Sequence, residues 1–254
     1  MPGWRTLRQR HQIRKEKLSP TVSTLYFHWD ADVKPGQFVM VWAPGTGEIP
    51  MSLSHIGKEK AFTVKNYGPT SDMLIKLEPG QKVYYRGPYG RPFSVVKGKT
   101  LLIGGGSGMA SLHPLINRNA FGLIAARTHE EILFMNEFES GKVRVTTDDG
   151  SFGTKGNVLA GLKDLETDAF DMIYACGPEI MLYNLYKYLK EKKVNAELSL
   201  ERLMKCGIGV CDSCSINGFQ LCRDGPTFTM DQLQYMNEFG TEKLTFSGTR
   251  VNVH

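Results

Sequence analysis

Four of the five cysteines in this sequence lie close together near its C-terminus. Four residues separate Cys206 from Cys211, two separate Cys211 from Cys214, and seven separate Cys214 from Cys222. The first two intervals match the plant-type spacing of a [2Fe–2S] cluster, whose irons are held by cysteine thiolates. The pattern therefore predicts a one-electron carrier with these four cysteines as the iron ligands.

Two glycines, Gly207 and Gly209, lie between the first two of these cysteines. Glycine adopts positive φ angles readily, so a loop this short can turn its backbone N–H groups inward. N–H groups that donate to cluster sulfurs help to set the reduction potential.

Zinc and disulfides are the alternatives for these cysteines. Zinc also binds four thiolates, but its usual pattern is two short cysteine pairs joined by a longer spacer. Five cysteines in 254 residues are also unlike a disulfide-stabilised secreted scaffold. The spacing favours the iron–sulfur interpretation over both.

A glycine-rich turn at residues 104–108 follows an apolar run and precedes an apolar helical segment. Such a turn lets the backbone approach a pyrophosphate, and the N-terminus of the helix supplies N–H donors. Its spacing is not a regular GxGxxG, and a plain strand-to-helix turn is the alternative. Arg127 and Thr128 stand after the second strand, where an acidic residue would favour NAD over NADP, so that choice stays open.

Cys176, Gly177 and Pro178 close a later apolar strand and begin a helix, with proline in its first turn. Open α/β sheets bind ligands at this carboxyl edge of their strands. Cys176 taken alone is interpreted as a small apolar residue at a buried strand end.

The first hundred residues contain short β-type runs separated by glycine and proline turns. The predicted strands there are residues 24–29, 37–42, 61–65 and 82–86. Regular short strands with such turns predict a small antiparallel barrel over residues 1–97.

From about Lys99, strand-like and helix-like segments alternate. The predicted strands are residues 100–103, 121–126, 142–147 and 170–175, and the predicted helices are 157–165 and 179–192. This alternation predicts a doubly wound parallel α/β domain over residues 98–198.

Residues 199–254 carry the four cysteines and little periodic structure, so we expect a bound cluster to supply much of their order.

Composition is typical of a soluble globular protein, with 41% hydrophobic and 22% charged residues. No apolar run approaches the roughly 18–20 residues of a membrane helix.

The net charge of +5 is concentrated near the N-terminus. The basic residues there are Arg5, Arg8, Arg10, Arg14, Lys15 and Lys17. Without interleaved aromatic residues, this run is interpreted as the solvated face of a first strand, not as a nucleic-acid site. Reduced cysteines predict a cytoplasmic protein. From the charge pattern and the apolar runs we expect neither a nucleic-acid nor a membrane partner.

Three stretches together resemble the ferredoxin–NADP reductase-like family: Gly-Gly-Gly-Ser-Gly at 104–108, Thr-Asp-Asp-Gly-Ser at 147–151 and Cys-Gly-Pro-Glu-Ile-Met at 176–181. In that family FAD lies on a β-barrel that precedes the nicotinamide domain. The resemblance implies an antiparallel FAD-binding barrel, a doubly wound nicotinamide-binding domain and a small C-terminal [2Fe–2S] segment.

Residues 201–211 and 222–228 narrow the resemblance to the electron transfer subunits of dihydroorotate dehydrogenase B. This implies electron transfer between a [2Fe–2S] cluster, FAD and NAD(H). It also implies an FMN-containing catalytic subunit as partner, in a heterotetramer of two plus two, whose dihydroorotate oxidation is coupled to NAD⁺ reduction in pyrimidine biosynthesis. A flavin subunit of a sulfhydrogenase-like complex and a zinc-stabilised binding module are the alternatives.

The resemblance also implies cofactor contacts for individual residues, although no residue needs to act as an acid or base. The positions implied to bind FAD are Pro50, Met51, Ser52, Leu53, Thr63, Val64, Lys65, Gly68, Thr70 and Ser71. Those implied to bind the nicotinamide dinucleotide are Gly104, Gly105, Gly106, Gly108, Cys176, Gly177 and Pro178. The family has arginine where this chain has Ile49, so we expect Lys65 or Arg86 to supply the missing phosphate contact.

Overall fold

A computed structural model describes residues 9–253 of the chain. Its N-terminal part is a seven-stranded antiparallel sheet in the order β4-β3-β7-β1-β2-β6-β5. The strands are β1 (Gln9–Ser19), β2 (Val22–His28), β3 (Phe38–Ala43), β4 (Gly47–Ser52), β5 (His55–Ile56), β6 (Glu59–Lys65) and β7 (Lys82–Tyr89). Contacts between β4 and β6 bring the two ends of the sheet together, as the barrel prediction requires.

Strand β1 accommodates the basic run by alternating its side chains between the two faces of the sheet. Ile13 is buried while Arg10 and Arg14 are exposed, which is the solvated strand face expected from the sequence. Arg5 and Arg8 lie outside the described residues. Buried apolar side chains from several strands, including Phe27 and Tyr85, fill the interior of the barrel.

Helix α1 (Pro69–Lys76) connects β6 to β7 and begins with proline at its first turn. The Ser71 hydroxyl accepts hydrogen bonds from the N–H groups of Tyr67 and Gly68 at 2.9 and 3.0 Å. This capping fixes the direction in which the chain enters the helix.

The second sheet also has seven strands, in the order β11-β10-β9-β8-β12-β13-β16. Its parallel strands are β8 (Thr100–Gly105), β9 (Ala120–Ala126), β10 (Val143–Thr147), β11 (Thr154–Lys155), β12 (Met172–Cys176) and β13 (Ala196–Ser199). Helices α2 (Met109–Leu112), α3 (Val158–Leu162) and α4 (Glu179–Lys192) connect them. The strand order reverses between β8 and β12, so the predicted doubly wound α/β fold is confirmed. The carboxyl ends of these two strands form the switch point of the sheet.

The C-terminal part consists of short elements packed on the second sheet. They are β14 (Ser215–Ile216), β15 (Phe219–Gln220), α5 (Leu221–Asp224), β16 (Thr227–Thr229), α6 (Met230–Leu233), β17 (Glu242–Leu244) and β18 (Arg250–Asn252). Strand β16 pairs antiparallel with β13 and extends the sheet.

Beside whatever order a cluster supplies, this segment has a packed apolar base of its own. Ile216, Leu221 and Phe228 are fully buried and pack in one core with Leu185 and Leu198 of the α/β domain. These apolar residues are spread over elements of two to four residues, too short to show a periodicity in the sequence. Within residues 9–253, no helix is both long and apolar enough to cross a membrane.

Candidate functional site

A cavity of about 440 Å³ lies between the barrel, α1 and the carboxyl edge of the second sheet. This volume is typical of small-molecule sites, which span about 300–1,000 Å³. Of the residues predicted to bind FAD, those that line it are Pro50, Met51, Ser52, Thr63, Lys65, Gly68, Thr70 and Ser71. We refer to it as the barrel cavity.

Leu53 and Val64 do not line the barrel cavity. Both side chains are at most 1% exposed and lie in the apolar core of the barrel. Because side chains alternate along a strand, they point away from the face that carries Ser52 and Thr63. Any contact of these two residues with a cofactor would come from the backbone.

The N-terminus of α1 lies at the wall of the barrel cavity, where Gly68 and Thr70 line it. Such a terminus favours anions, since its N–H groups and helix dipole both point outward. The Ser71 hydroxyl also donates to the Gly68 carbonyl at 3.0 Å, so capping uses this side chain fully. Ser71 therefore shapes the site more than it offers a hydroxyl to a ligand.

Lys65 is one of the two cations that the sequence analysis expects to contact a phosphate group. Its side chain lines the barrel cavity, and its Nζ lies 2.6 Å from a carboxylate oxygen of Glu131. Arg86, the other candidate, lies outside the residues that line this cavity. Its guanidinium instead binds Glu48 and the carbonyl of Cys206. Of the two cations expected to substitute for the arginine that Ile49 replaces, Lys65 is therefore the one that lines the barrel cavity.

A second cavity of about 360 Å³, which we call the nicotinamide cavity, opens at the switch point of the α/β domain. Gly105, Gly106, Gly108, Gly177 and Pro178 line it. Arg127 and Asp148, at the ends of β9 and β10, lie on its wall. A cation and an acid thus share this wall.

The glycines beside the nicotinamide cavity serve two purposes. A Cβ atom on Gly108 would lie 2.3 Å from the Cys176 carbonyl oxygen, so the two turns pack backbone against backbone. Gly106 has φ +52° and open space where its Cβ would be, so a ligand can approach its backbone. Gly104 lines neither cavity and packs against Met109.

Glu201 lines both cavities and marks where they meet, together with Lys65, Tyr67 and Ser107. The Glu201 side chain is exposed to these cavities, yet the protein packed around its carboxyl raises its pKa by desolvation. Sequence reasoning quoted Glu201 within a motif but assigned it no role. Its position just after β13, at the carboxyl edge of the sheet, is the signal that could have found it.

Cys176 lies at the wall of the barrel cavity and is 1% exposed. Burial and then the charge of Glu201 raise the pKa of its thiol to about 12. The thiol therefore stays uncharged at neutral pH, and Cys176 offers a small apolar surface, as the sequence suggested.

The four C-terminal cysteines lie in one loop, residues 206–222, which we call the cysteine loop. All are free thiols, which disfavours the disulfide alternative. Cys206 lies beside Cys211, and Cys214 lies beside Cys222, so the four side chains are arranged as two neighbouring pairs. Two thiolates per iron is what a [2Fe–2S] cluster requires. In the described part of the chain, no three His, Cys, Asp or Glu side chains converge to hold one metal ion.

Backbone N–H groups of the cysteine loop point at its sulfurs. Gly209 N–H donates to Cys222 Sγ at 3.1 Å, and Val210 N–H donates to Cys206 Sγ at 3.4 Å. Burial raises the pKa of Cys206, but the N–H donors of Ile208 and Val210 outweigh it and lower that pKa to about 6. Donors that stabilise thiolates prepare the loop for a metal cluster.

The two cysteine pairs differ in exposure. Cys214 and Cys222 are buried, whereas Cys211 is exposed and Cys206 half-buried. Val210, beside Cys211, is 76% exposed although it is apolar. One end of the cysteine group thus reaches the surface of this chain.

The chain is similar to known proteins along almost its whole length. Residues 201–234 match the family model described as the iron–sulfur cluster binding domain of dihydroorotate dehydrogenase B. A probable dihydroorotate dehydrogenase B (NAD⁺) electron transfer subunit of Thermoplasma acidophilum is 51% identical over 240 residues, covering 94% of this chain and 95% of that protein. The protein of the same name from Methanocaldococcus jannaschii is 37% identical, covering 92% and 93%.

Solved structures agree on the architecture. A chain of the NADH-dependent reduced ferredoxin–NADP oxidoreductase superposes with a TM-score of 0.77 at 28% identity, covering 94% of this chain and 95% of its own. A ferredoxin reductase of carbazole 1,9a-dioxygenase superposes with a TM-score of 0.62 at 18% identity, covering 74% and 66%. The latter likeness concerns the fold alone.

Proposed function

Because the chain belongs to the family of dihydroorotate dehydrogenase B electron transfer subunits, we propose that it carries electrons between a [2Fe–2S] cluster, FAD and NAD(H). In this role it couples dihydroorotate oxidation on a separate catalytic subunit to NAD⁺ reduction in pyrimidine biosynthesis. The observation that carries the proposal is the meeting of two cavities at Glu201, with two neighbouring pairs of cysteines beside the barrel.

The residues of the barrel cavity fit FAD. Lys65 and the N-terminus of α1 supply positive charge for a pyrophosphate, and Pro50, Met51 and Thr63 supply a wall for a flat ring. When bound there, FAD exchanges electrons in pairs with nicotinamide and singly with an iron–sulfur cluster. The protein contributes position and the exclusion of water, since hydride transfer requires close, oriented partners.

The residues of the nicotinamide cavity fit a dinucleotide whose reactive ring reaches the shared wall. Gly106 admits the pyrophosphate, while Gly177 and Pro178 shape the turn beside it. Glu201 stands at that wall with its pKa raised by desolvation, and Cys176, whose thiol is uncharged at neutral pH, lies on the barrel-cavity side of it. The NAD⁺ in the names of the relatives supports NAD as the natural dinucleotide.

The thiolates of Cys206, Cys211, Cys214 and Cys222 hold the [2Fe–2S] cluster. We place its exposed end, at Cys211, against an FMN-containing catalytic subunit, in an assembly of two copies of each chain. Reduced thiols suit a cytoplasmic location. The assignment keeps the boundaries expected from the sequence: a barrel at 1–97, an NAD domain at 98–198 and a cluster segment at 199–254.

Two experiments test this function. The purified protein should be coloured, contain FAD and two irons per chain, and lose its visible absorbance when NADH is added. A colourless protein with stoichiometric zinc would contradict it.

The chain mixed with the FMN subunit should form NADH from dihydroorotate and NAD⁺, and neither chain alone should do so. Co-purification with hydrogenase subunits, without orotate formation, would favour the sulfhydrogenase-like alternative.

A further inference from the structure

A row of hydrogen-bonded side chains leads from the surface of the barrel to the wall of the barrel cavity. We propose that this row is a proton relay between water and the bound flavin. Its members, from the surface inward, are Glu16, Tyr26, His55, Ser54 and Thr63, and we call the row the relay. The inference rests on the proposed function, which supplies the FAD, and goes beyond it by giving the route of a proton.

The proposed reaction requires such a proton. The cluster delivers electrons one at a time and without protons, whereas hydride transfer to NAD⁺ removes two electrons and one proton together. Each NADH formed therefore needs one proton to reach the flavin from water. When electrons flow the other way, from NADH to the cluster, the same proton must leave. A site that excludes water needs a route through the protein for it.

The inner half of the relay consists of buried hydroxyl groups. Thr63 lies on β6 and lines the barrel cavity. Its Oγ1 donates to Ser54 Oγ at 3.0 Å, and Ser54 Oγ lies 3.2 Å from Nδ1 of His55. Ser54 is fully buried and lines neither cavity. Cut off from bulk water, these hydroxyls exchange protons only with the groups to which they are bonded.

The outer half of the relay connects His55 to the surface. The Tyr26 hydroxyl donates to Oε2 of Glu16, an exposed residue, at 3.0 Å, and it lies 3.3 Å from Nε2 of His55. Because this hydroxyl already donates to Glu16, it accepts the Nε2 proton, and Nδ1 is left to accept from Ser54. All the bonds of the relay thus run in one direction. Hydroxyl rotation and proton exchange at the imidazole reset it after each transfer.

His55 is suited to pass a proton on and not to keep it. Burial, and next the charge of His113, lower the pKa of the His55 ring to about 4. A neutral imidazole has one donor and one acceptor nitrogen, which is what a relay requires. His113 contacts the Ser54 carbonyl and Glu137, so it stands beside the relay without being a link in it.

Ser54→Ala tests the relay, because it removes one link and touches neither cavity. The holoprotein is reduced in stopped flow with reduced methyl viologen, a one-electron donor that carries no proton, and proton uptake is followed with an indicator dye. Uptake should be at least about 10-fold slower than in the wild type, a modest share of what a positioned proton donor contributes.

Ser23→Ala is the matched control and should keep the wild-type rate of uptake. Ser23 is 1% exposed and lies on β2 of the same barrel, outside the relay. The iron and FAD contents of every variant are determined beside the rates.

His55→Ala gives a second measurement. Proton uptake should again be slow, and imidazole added to the buffer should restore it, whereas an equal concentration of Tris should not. A merely structural role at this interface would not respond to imidazole. A third measurement needs no FAD: ¹⁵N NMR of the apoprotein should show an uncharged His55 at pH 7 with its proton on Nε2.

Wild-type uptake in a Ser54→Ala protein that keeps its FAD and iron would overturn the inference, and so would equal slowing in Ser23→Ala. If Ser54→Ala does not fold, His55→Ala decides alone, and either a wild-type rate or a slow rate that imidazole leaves unchanged would overturn it. A proton on Nδ1 of His55 would do so as well, because Ser54 would then donate only to the Ala61 carbonyl, 3.4 Å away. A wild-type protein that binds no FAD would instead contradict the proposed function.

Discussion

At the scale of single residues, the chemistry of this chain depends on a few side chains with distinct tasks. Cys211 is exposed while Cys214 and Cys222 are buried, so the four expected ligands are not equivalent. Lys65 and Glu201 stand at the junction of the two cavities with opposite formal charges. Two substitutions test the most direct of these assignments.

Replacing Cys211 with serine should abolish the cluster and electron transfer to the catalytic subunit. NADH oxidation by an artificial two-electron dye should continue, because the residues of both cavities are untouched. Visible and EPR spectra measure the first effect, and a dye-reduction assay measures the second. Cys176→Ser is the matched control and should retain the cluster. Loss of dye reduction in a Cys211→Ser protein that keeps its FAD would show that the order of carriers is wrong.

Replacing Lys65 with methionine should weaken FAD binding roughly 10-fold or more, since a hydrogen bond to a charged group contributes about 1.5–3 kcal/mol. Titration of the apoprotein with FAD, followed by flavin fluorescence, gives the Kd. Lys76→Met, an exposed change on α1, should leave that Kd unaltered. An unaltered Kd for Lys65→Met as well would mean that another group holds the phosphate.

At the scale of elements, the site is built from turns that pack on one another. The turn between β8 and α2 touches the turn between β12 and α4 through Gly105, Gly108 and Gly177. The cysteine loop contains short elements whose apolar side chains, such as Ile216 and Leu221, are buried against the α/β domain. The loop therefore sits on a packed base that does not depend on metal alone.

Replacing Gly108 with alanine should destabilise the α/β domain by about 1–3 kcal/mol, the usual cost of overpacking. The new Cβ would lie 2.3 Å from the Cys176 carbonyl oxygen, so one of the two turns must move. Thermal unfolding and the Kd for NADH should both worsen, while iron content stays at the wild-type level. Gly57→Ala, where the Cβ meets open space, should change neither. Wild-type NADH binding in Gly108→Ala would show that the turns can separate without harm to the site.

At the scale of the whole molecule, histidines join the barrel to the α/β domain. The rings of His55 and His113 lie 4.2 Å apart between centroids. His113 Nδ1 is 2.6 Å from the Ser54 carbonyl, and its Nε2 is 2.8 Å from a Glu137 carboxylate oxygen. Burial, and next the charge of His113, lower the pKa of His55 to about 4.

This lowered pKa predicts a pH-dependent stability. Between pH 6.5 and about 4 the unfolded chain binds a proton at His55 that the folded chain does not, so the free energy of unfolding should decrease as pH falls through this window. Because His55 is only half-buried, we expect a loss of about 1–2 kcal/mol after allowing for solvent screening.

Urea unfolding across this pH range measures the effect. His55→Asn should flatten the dependence, whereas the exposed His28→Asn should keep the wild-type slope. An equal slope in His55→Asn and wild type would place the pH dependence elsewhere in the molecule.

How far the fold could be predicted depended on how local its signals are. Strand β8 and helix α4 were predicted almost to the residue, because a buried parallel strand and an amphipathic helix each show in a short window. Strand β13 was not predicted, and strand β4 was expected, over residues 50–54, only from the family resemblance and not from its own pattern. Gly47–Ser52 contains a proline and polar residues, and Ala196–Ser199 is short and contains a buried glutamate. Their pairing in the sheets, not their own propensity, makes them strands.

The sequence by itself determined the chemistry of the cysteine loop, because ligand spacing within a loop of seventeen residues is a local property. It also determined the order of barrel, α/β domain and cluster segment. Only the tertiary structure decided that Lys65 and Glu201 meet at one wall, that Leu53 and Val64 turn into the core, and that Arg86 donates to the Cys206 carbonyl and does not line the barrel cavity. These outcomes depend on contacts between residues more than a hundred positions apart, or on which face of a strand is buried, and neither is encoded in a short stretch of sequence.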